Sequence, residues 1–285
     1  MNSEQQIQYL RDAVLQAMRC TSVKEQVNRF ESSVSGGKMI RGRMVLEIGL
    51  SNQIELKKLC KLGAAIELLH AGSLLHDDII DGGTERRNAP ALWVSEGVKS
   101  AVIIGDLLLS IALSLVLENG AERLPYLITA LRDMCDAEAE QEFSSGQPST
   151  SWEDCVRIAR RKTGVLFGLA AACAAGRNET LATALSQAGS DLGTAYQLAD
   201  DILDASPHSN NTSGKSLGTD AASGKLTAAL FDDHHEIDAL NEIETLLISA
   251  EAKLASWPTI QKSWQKYTAT VIRPILEHFT DHVRE

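Results

Sequence analysis

Aromatic residues are scarce in this chain: Phe, Trp and Tyr together make up 5% of its 285 residues. Valine and threonine never gather into alternating runs, so the usual material of β-sandwiches and barrels is missing. Proline is rare at six residues, and no stretch marks a domain boundary. A positive excess is absent too, since the net charge is −11; a general nucleic-acid or anionic-membrane binder needs the opposite sign to displace counterions. The five cysteines (Cys20, Cys60, Cys135, Cys155, Cys173) are odd in number, scattered, and form no C-x-x-C pair, which points to a reducing compartment. The start, MNSEQQIQYLRDAV, has no basic segment leading into an apolar core, so the expected location is the cytoplasm.

What remains is helical. Apolar residues recur at three- and four-residue spacing, as in Leu56, Leu59, Leu62, Ile66 and Leu69, or Leu240, Ile243, Leu247 and Leu254. The expected fold is all-α, a single large helical bundle, with residues 1–285 forming one domain. The segment 101–117, AVIIGDLLLSIALSLVL, is apolar enough to resemble a membrane span, but Asp106 interrupts it, so it is read as a buried core helix without stable membrane insertion. Three stretches break the helical pattern. Ser32–Gly37 reads as a hinge, Ser144–Ser151 as an interhelical turn, and the long Ser206–Gly224 as a lid or a disordered segment.

The chemistry concentrates in HAGSLLHDDIIDGGTERR, from His70 to Arg87. With 3.6 residues per turn, Asp77 and Asp81 share a face, His70 lies two turns earlier on it, and Asp78 points well away. Gly82-Gly83 ends the helix at once, so three carboxylates crowd its negative end, an arrangement that calls for a cation. Hard oxygens at one-turn spacing suit Mg²⁺, which keeps waters and completes its shell with phosphate oxygens. The pattern recurs at Asp200-Asp201-Ile202-Leu203-Asp204, where Asp200 and Asp204 share a face and Gln197 lies one turn below Asp201. Two such ends face to face could hold Mg²⁺ ions with a shared diphosphate. Positive charge surrounds them. Lys38 and Arg41 lie at a helix start, where backbone N–H groups also favour an anion; Lys162-Thr163 opens an apolar helix; Lys215 and Lys225 flank the polar loop; and Arg86 and Arg87 follow the first motif. His76 reads as a core residue on an apolar helix.

The ordered pieces GGKMIR, HDDIID with its RR, GDLLLS, RKTGVLF, YQLADDILD and GKSLGTDAASGKLT resemble the trans-isoprenyl diphosphate synthases of the polyprenyl synthetase family. The resemblance runs from Gly36 to about Thr227 and is nearest to geranylgeranyl or longer-chain all-trans enzymes. It implies the type I isoprenoid synthase fold, a homodimer, and a prenyltransferase that condenses isopentenyl diphosphate with an allylic diphosphate by ionisation, 1'-4 addition and proton loss. Asp77, Asp81 and Asp200 would then hold three Mg²⁺ ions, with Mn²⁺ able to substitute, and Asp78, Asp201 and Asp204 would serve as further ligands or around them. Arg86, Lys162, Lys215 and Lys225 would hold the allylic diphosphate, and Lys38, Arg41, His70 and Arg87 the isopentenyl diphosphate. Thr163, Tyr196 and Gln197 would line the reacting centre.

In the family, bulky aromatics at the positions of Gly72 and Ser73 floor the cavity; both residues here are small, which implies a product of C20 or longer. Departures from the family pattern fall at Gly42, Asn88 and Ala228, and none removes a charge. A class I terpene cyclase on the same fold generally lacks the isopentenyl residues present here, and a non-catalytic regulatory subunit typically loses an aspartate motif that this chain keeps.

Overall fold

The helix from Leu56 to Ile80 carries apolar or small residues on every side, and a helix of that kind is stable only when other helices surround it. In the computed structural model, which describes residues 2–25, 31, 33–87, 89–143, 151–205 and 233–280, it lies at the centre. Numbered in chain order, the helices are α1 (Ser3–Arg19), α2 (Ile40–Ser51), α3 (Leu56–Ile80), α4 (Leu92–Glu96), α5 (Val98–Gly120), α6 (Leu124–Phe143), α7 (Trp152–Ala159), α8 (Val165–Cys173), α9 (Glu179–Ala205), α10 (Asp233–Ala252), α11 (Pro258–Tyr267) and α12 (Arg273–Thr280). The strand content among the described residues is one short antiparallel ribbon, β1 (Glu85–Arg86) with β2 (Ala89–Pro90). The all-α expectation therefore holds.

The most extensive packing joins α3 to α5, and α9 to both α8 and α10. Close approach of α8 and α9 needs glycine. A Cβ on Gly193 would sit 2.7 Å from the Phe167 ring and one on Gly164 2.8 Å from the Ser190 carbonyl oxygen, so side chains there would prise the two helices apart. Distant parts of the chain close on each other where the buried Tyr267 hydroxyl of α11 donates to the Ile40 carbonyl at 2.7 Å.

Three expectations need correction. The segment 101–117 is not buried all round: Ala101, Ile104, Leu108, Ala112 and Val116 face the core, while Val102, Ile103, Leu113 and Leu117 face solvent. Periodicity records two apolar faces there but not what covers the second. The run starting at Val98 is long and apolar enough to cross a membrane by composition alone. It is nevertheless built into the bundle through α3. Second, Lys162 and Thr163 do not open a helix. They lie in a wide π-turn, Arg160–Gly164, whose flanking residues keep helical dihedrals, so α7 passes into α8 without an open N-terminus. Third, the start of α2 is already filled, because the Gly42 N–H donates to the Glu67 carboxylate of α3 at 2.7 Å. A substrate anion there would depend on side chains. The turn at 144–150 and the expected lid lie outside the described residues, together with Lys215 and Lys225; Asp204 lies in the last turn of α9, and its side chain is also outside them.

Candidate active site

The end of α3 sorts its carboxylates. Asp78 is buried and taken by Arg86 of β1, whose Nε lies 2.8 Å from each carboxylate oxygen and whose Nη2 lies 2.6 Å from Oδ1. The helix wheel had turned Asp78 off the Asp77/Asp81 face, and the structure shows what it meets there. Asp78 orients Arg86 and does not face outward beside Asp77 as a metal ligand would; the fork also fixes the guanidinium proposed for phosphate. The hairpin carrying Arg86 is anchored by the Trp93 indole N–H, which donates to the Gly83 carbonyl at 2.7 Å.

Asp77 is treated differently. Burial pushes its carboxyl up to about 6; Lys162 and Arg86 pull it back, while the Glu138 and Asp81 carboxylates push it further. A carboxylate held this way gains from an added cation. Lys162 reaches the site from the π-turn and is clamped by α6, with Nζ 2.6 Å from Glu138 Oε2 and 2.7 Å from Gln141 Oε1. Glu140 on the same helix binds Arg157 and Arg161, each at 2.6 Å, which fixes the π-turn that carries Lys162. Sequence reasoning missed Glu138 and Gln141. The signal was available as the acidic run DAEAEQE facing the basic RIARRK, charge opposite charge.

On α9 the predicted residues form a chain. The Thr163 hydroxyl donates to Gln197 Oε1 at 2.6 Å, and Gln197 Nε2 donates to Asp201 Oδ1 at 2.7 Å. The π-turn is thereby tied to the second aspartate motif. Asp200 lies close enough to Arg41 for its charge to act on that guanidinium.

Arg41 is the centre of the second cluster. It is 6% exposed, its guanidinium lies 4.5 Å from the Phe167 ring centroid, and its Nε is buried with no hydrogen-bond partner among the described residues. Burial lowers its pKa, opposed first by Glu67. Arg87 is lowered by burial and by Arg86 beside it, and its guanidinium rests on Gly37, where a Cβ would come within 2.9 Å. Met39 and Arg87 both hold left-handed backbones, φ 46° and 55°, strain of the kind that gathers at functional sites. Lys38 lies 5.9 Å over Phe279 of α12, and Phe279 packs 5.6 Å from Tyr196, so α12 contributes an aromatic residue although it lacks a basic cluster. His70 is half-buried on α3. Glu67, another residue missed from sequence, is a buried carboxylate that acts on both Arg41 and Arg87.

The two chain-length positions separate. Gly72 faces α5, where a Cβ would lie 3.0 Å from the Gly105 carbonyl oxygen, so its missing side chain serves helix approach; it is not an open floor. Ser73 is half-buried, its hydroxyl donating to the His70 carbonyl at 2.9 Å. His76 is not a core residue. Its half-exposed ring rests where a Gly105 Cβ would be, with Nε2 3.3 Å from the Val102 carbonyl oxygen and 3.6 Å from Asp106.

Among the described residues no three His, Cys, Asp or Glu side chains converge into a ready-made metal cage. The carboxylates are paired on two helix ends instead, a donor set that fits Mg²⁺ completed by water and diphosphate. All five cysteines are unpaired, and burial pushes Cys155 and Cys173 up to about 12, which leaves them unreactive.

Comparison with known proteins places these features in a family. The polyprenyl synthetase family profile matches residues 24–256. Octaprenyl diphosphate synthase of Haemophilus influenzae is 34% identical over 199 residues, covering 68% of this chain and 60% of that protein. Geranylgeranyl diphosphate synthase of Mycobacterium tuberculosis is 30% identical over 243 residues, 80% of this chain and 68% of that one. The chain thus spans about three fifths to two thirds of the length of these relatives. A solved geranyltransferase from Helicobacter pylori, complexed with magnesium and isoprenyl diphosphate, superposes with a TM-score of 0.71 at 25% identity, covering 86% of each chain. The fold is the all-α isoprenoid synthase fold.

Proposed function

The chain belongs to the polyprenyl synthetase family, and on that premise we propose that it is a Mg²⁺-dependent prenyltransferase joining isopentenyl diphosphate to an allylic diphosphate. The observation that carries this reading is the Thr163–Gln197–Asp201 chain of hydrogen bonds, which ties the second aspartate motif to the turn carrying Lys162, whose charge acts on the buried Asp77 of the first motif. Asp77, Asp81 and Asp200 would hold the metal, three ions in all, with Asp201 oriented by Gln197. When bound, Mg²⁺ supplies the charge that stabilises a departing diphosphate. Lys162 and Arg86 bind the allylic diphosphate oxygens, Arg86 held in plane by Asp78. Arg41, Arg87, Lys38 and His70 bind isopentenyl diphosphate, and the buried Arg41 Nε, without a hydrogen-bond partner among the described residues, supports an anion there. Thr163, Gln197 and Tyr196 present oxygens and a ring face toward the allylic carbon, where positive charge develops. The packed apolar walls of α3 and α8 exclude water, which would quench that cation.

A homodimer in the cytoplasm completes the proposal. The outward face of α5, with Val102, Ile103, Leu113 and Leu117, joined by Ile128 of α6, offers the apolar surface for it. A product of C20 or longer rests on Ser73, a small side chain where a ring would block the growing tail.

The test is incubation of the purified chain with Mg²⁺, labelled isopentenyl diphosphate and dimethylallyl, geranyl or farnesyl diphosphate. Elongated prenyl diphosphates are expected. No elongation from any primer would overturn the reading, and a cyclised hydrocarbon without isopentenyl incorporation would replace it with a cyclase.

A further inference from the structure

The carboxylate that stands out in this site belongs to neither aspartate motif. Glu138 on α6 is mostly buried, its side chain 16% exposed, and pairs with Lys162 at 2.6 Å. Gln141, one turn on, accepts a second hydrogen bond from the same ammonium at 2.7 Å. Two of the three N–H donors of Lys162 are thus engaged by α6, and its charge is already balanced. Asp77 feels Glu138 and Asp81 as like charges next to this pair. A bare diphosphate entering here would meet the neutralised Glu138–Lys162 and Asp78–Arg86 pairs and the two further carboxylates of Asp77 and Asp81, and the balance is repulsive. A diphosphate arriving with divalent cations reverses that sign.

We propose that Glu138 is a positioning residue that makes this site select metal-complexed diphosphate over bare diphosphate, by holding Lys162 in an ion pair that a bare anion would have to break. The proposal rests on the prenyltransferase reading above. Selectivity of this kind is a difference of affinities, obtained by making the wrong ligand worse. Gln141 contributes geometry without charge, fixing the flexible lysine stem so that the ammonium stays beside Asp77.

The test is calorimetric titration of the full chain with inorganic pyrophosphate, once in chelator and once with Mg²⁺, followed by steady-state kinetics. Glu138→Gln keeps the shape and removes the charge. It is expected to bind pyrophosphate in chelator about tenfold more tightly than wild type, while the Mg²⁺ concentration giving half-maximal turnover rises several-fold. A variant merely damaged in structure would lose affinity under both conditions. Adding Lys162→Gln should cancel the gain in chelator, and Gln141→Leu alone should produce none. Unchanged or weaker metal-free binding by Glu138→Gln would overturn the proposal, as would a gain that persists without Lys162. If wild type elongates and binds pyrophosphate with Mg²⁺ while Glu138→Gln shows no gain, this inference fails alone. If wild type neither elongates nor binds pyrophosphate with Mg²⁺, both readings fail.

Discussion

Asp77 and Asp191 are the same residue on two central helices, both largely withdrawn from water, and their surroundings treat them in opposite ways. Burial alone would raise Asp191, yet Lys253, Arg160 at 2.8 Å and the Ser249 hydroxyl at 2.9 Å outweigh it and hold the carboxyl below its ordinary range. Burial of Asp77 is not offset, and its carboxyl rises to about 6. Asp191 ties α9 to α10 and the π-turn with its hydrogen bonds complete. Asp77 is left with an electrostatic deficit, and a deficit maintained in a folded protein marks the place where a ligand's charge belongs. Acidic residues therefore divide by whether the fold has already answered them.

Substitution at the two positions should separate these roles. Asp77→Asn is expected to lower turnover by about a thousandfold or more, equal to about 4 kcal/mol of lost transition-state stabilisation, measured as kcat with saturating substrates. In chelator the same variant should be more stable than wild type at pH 7, by on the order of 1–3 kcal/mol in urea unfolding. The sign follows from a folded pKa of about 6 against an ordinary 3.8. The native state holds its proton more tightly, so the favourable contribution is complete below about pH 4 and is lost as pH rises through 6. The gain from Asn should therefore be absent below about pH 4, grow between pH 4 and 6, and be complete above 6. A loss of stability at pH 7 would show that Asp77 is satisfied as Asp191 is. Asp191→Asn should do the reverse, costing about 2 kcal/mol of stability by leaving Lys253 and Arg160 without their carboxylate, with kcat within about threefold of wild type. An intact melting curve for that variant would remove the contrast.

The distinction was only partly legible before the fold was known. Helical periodicity carries the all-α architecture, because the spacing of Leu59, Leu62, Ile66 and Leu69 states that α3 is helical whatever surrounds it. The spacing of Asp77 and Asp81, and of Gln197 and Asp201, likewise depends only on the helix containing them, and the Gln197–Asp201 hydrogen bond is where the wheel put it. Contacts between helices are another matter. Lys162 meets Glu138 and Gln141, Glu67 reaches Gly42, and Asp78 turns to Arg86, each across a gap that periodicity cannot span. For the same reason Gly72 reads from sequence as a missing ring, although its neighbour is the α5 backbone. The outer face of α5 was equally hidden, since an apolar stripe looks the same whether it meets a core or solvent.

The central claim, that the ends of α3 and α9 hold a metal-complexed diphosphate, meets its most direct test in thermal unfolding of wild type and Asp77→Asn with and without Mg²⁺ and pyrophosphate together. At a ligand concentration a hundredfold above Kd, wild type should gain about 2.7 kcal/mol, seen as a rise in Tm of several degrees, and neither component alone should reproduce it. Asp77→Asn should show little or no rise. An equal rise in both proteins would contradict the account, because the ligand would then be bound without the carboxylate on which the site is built.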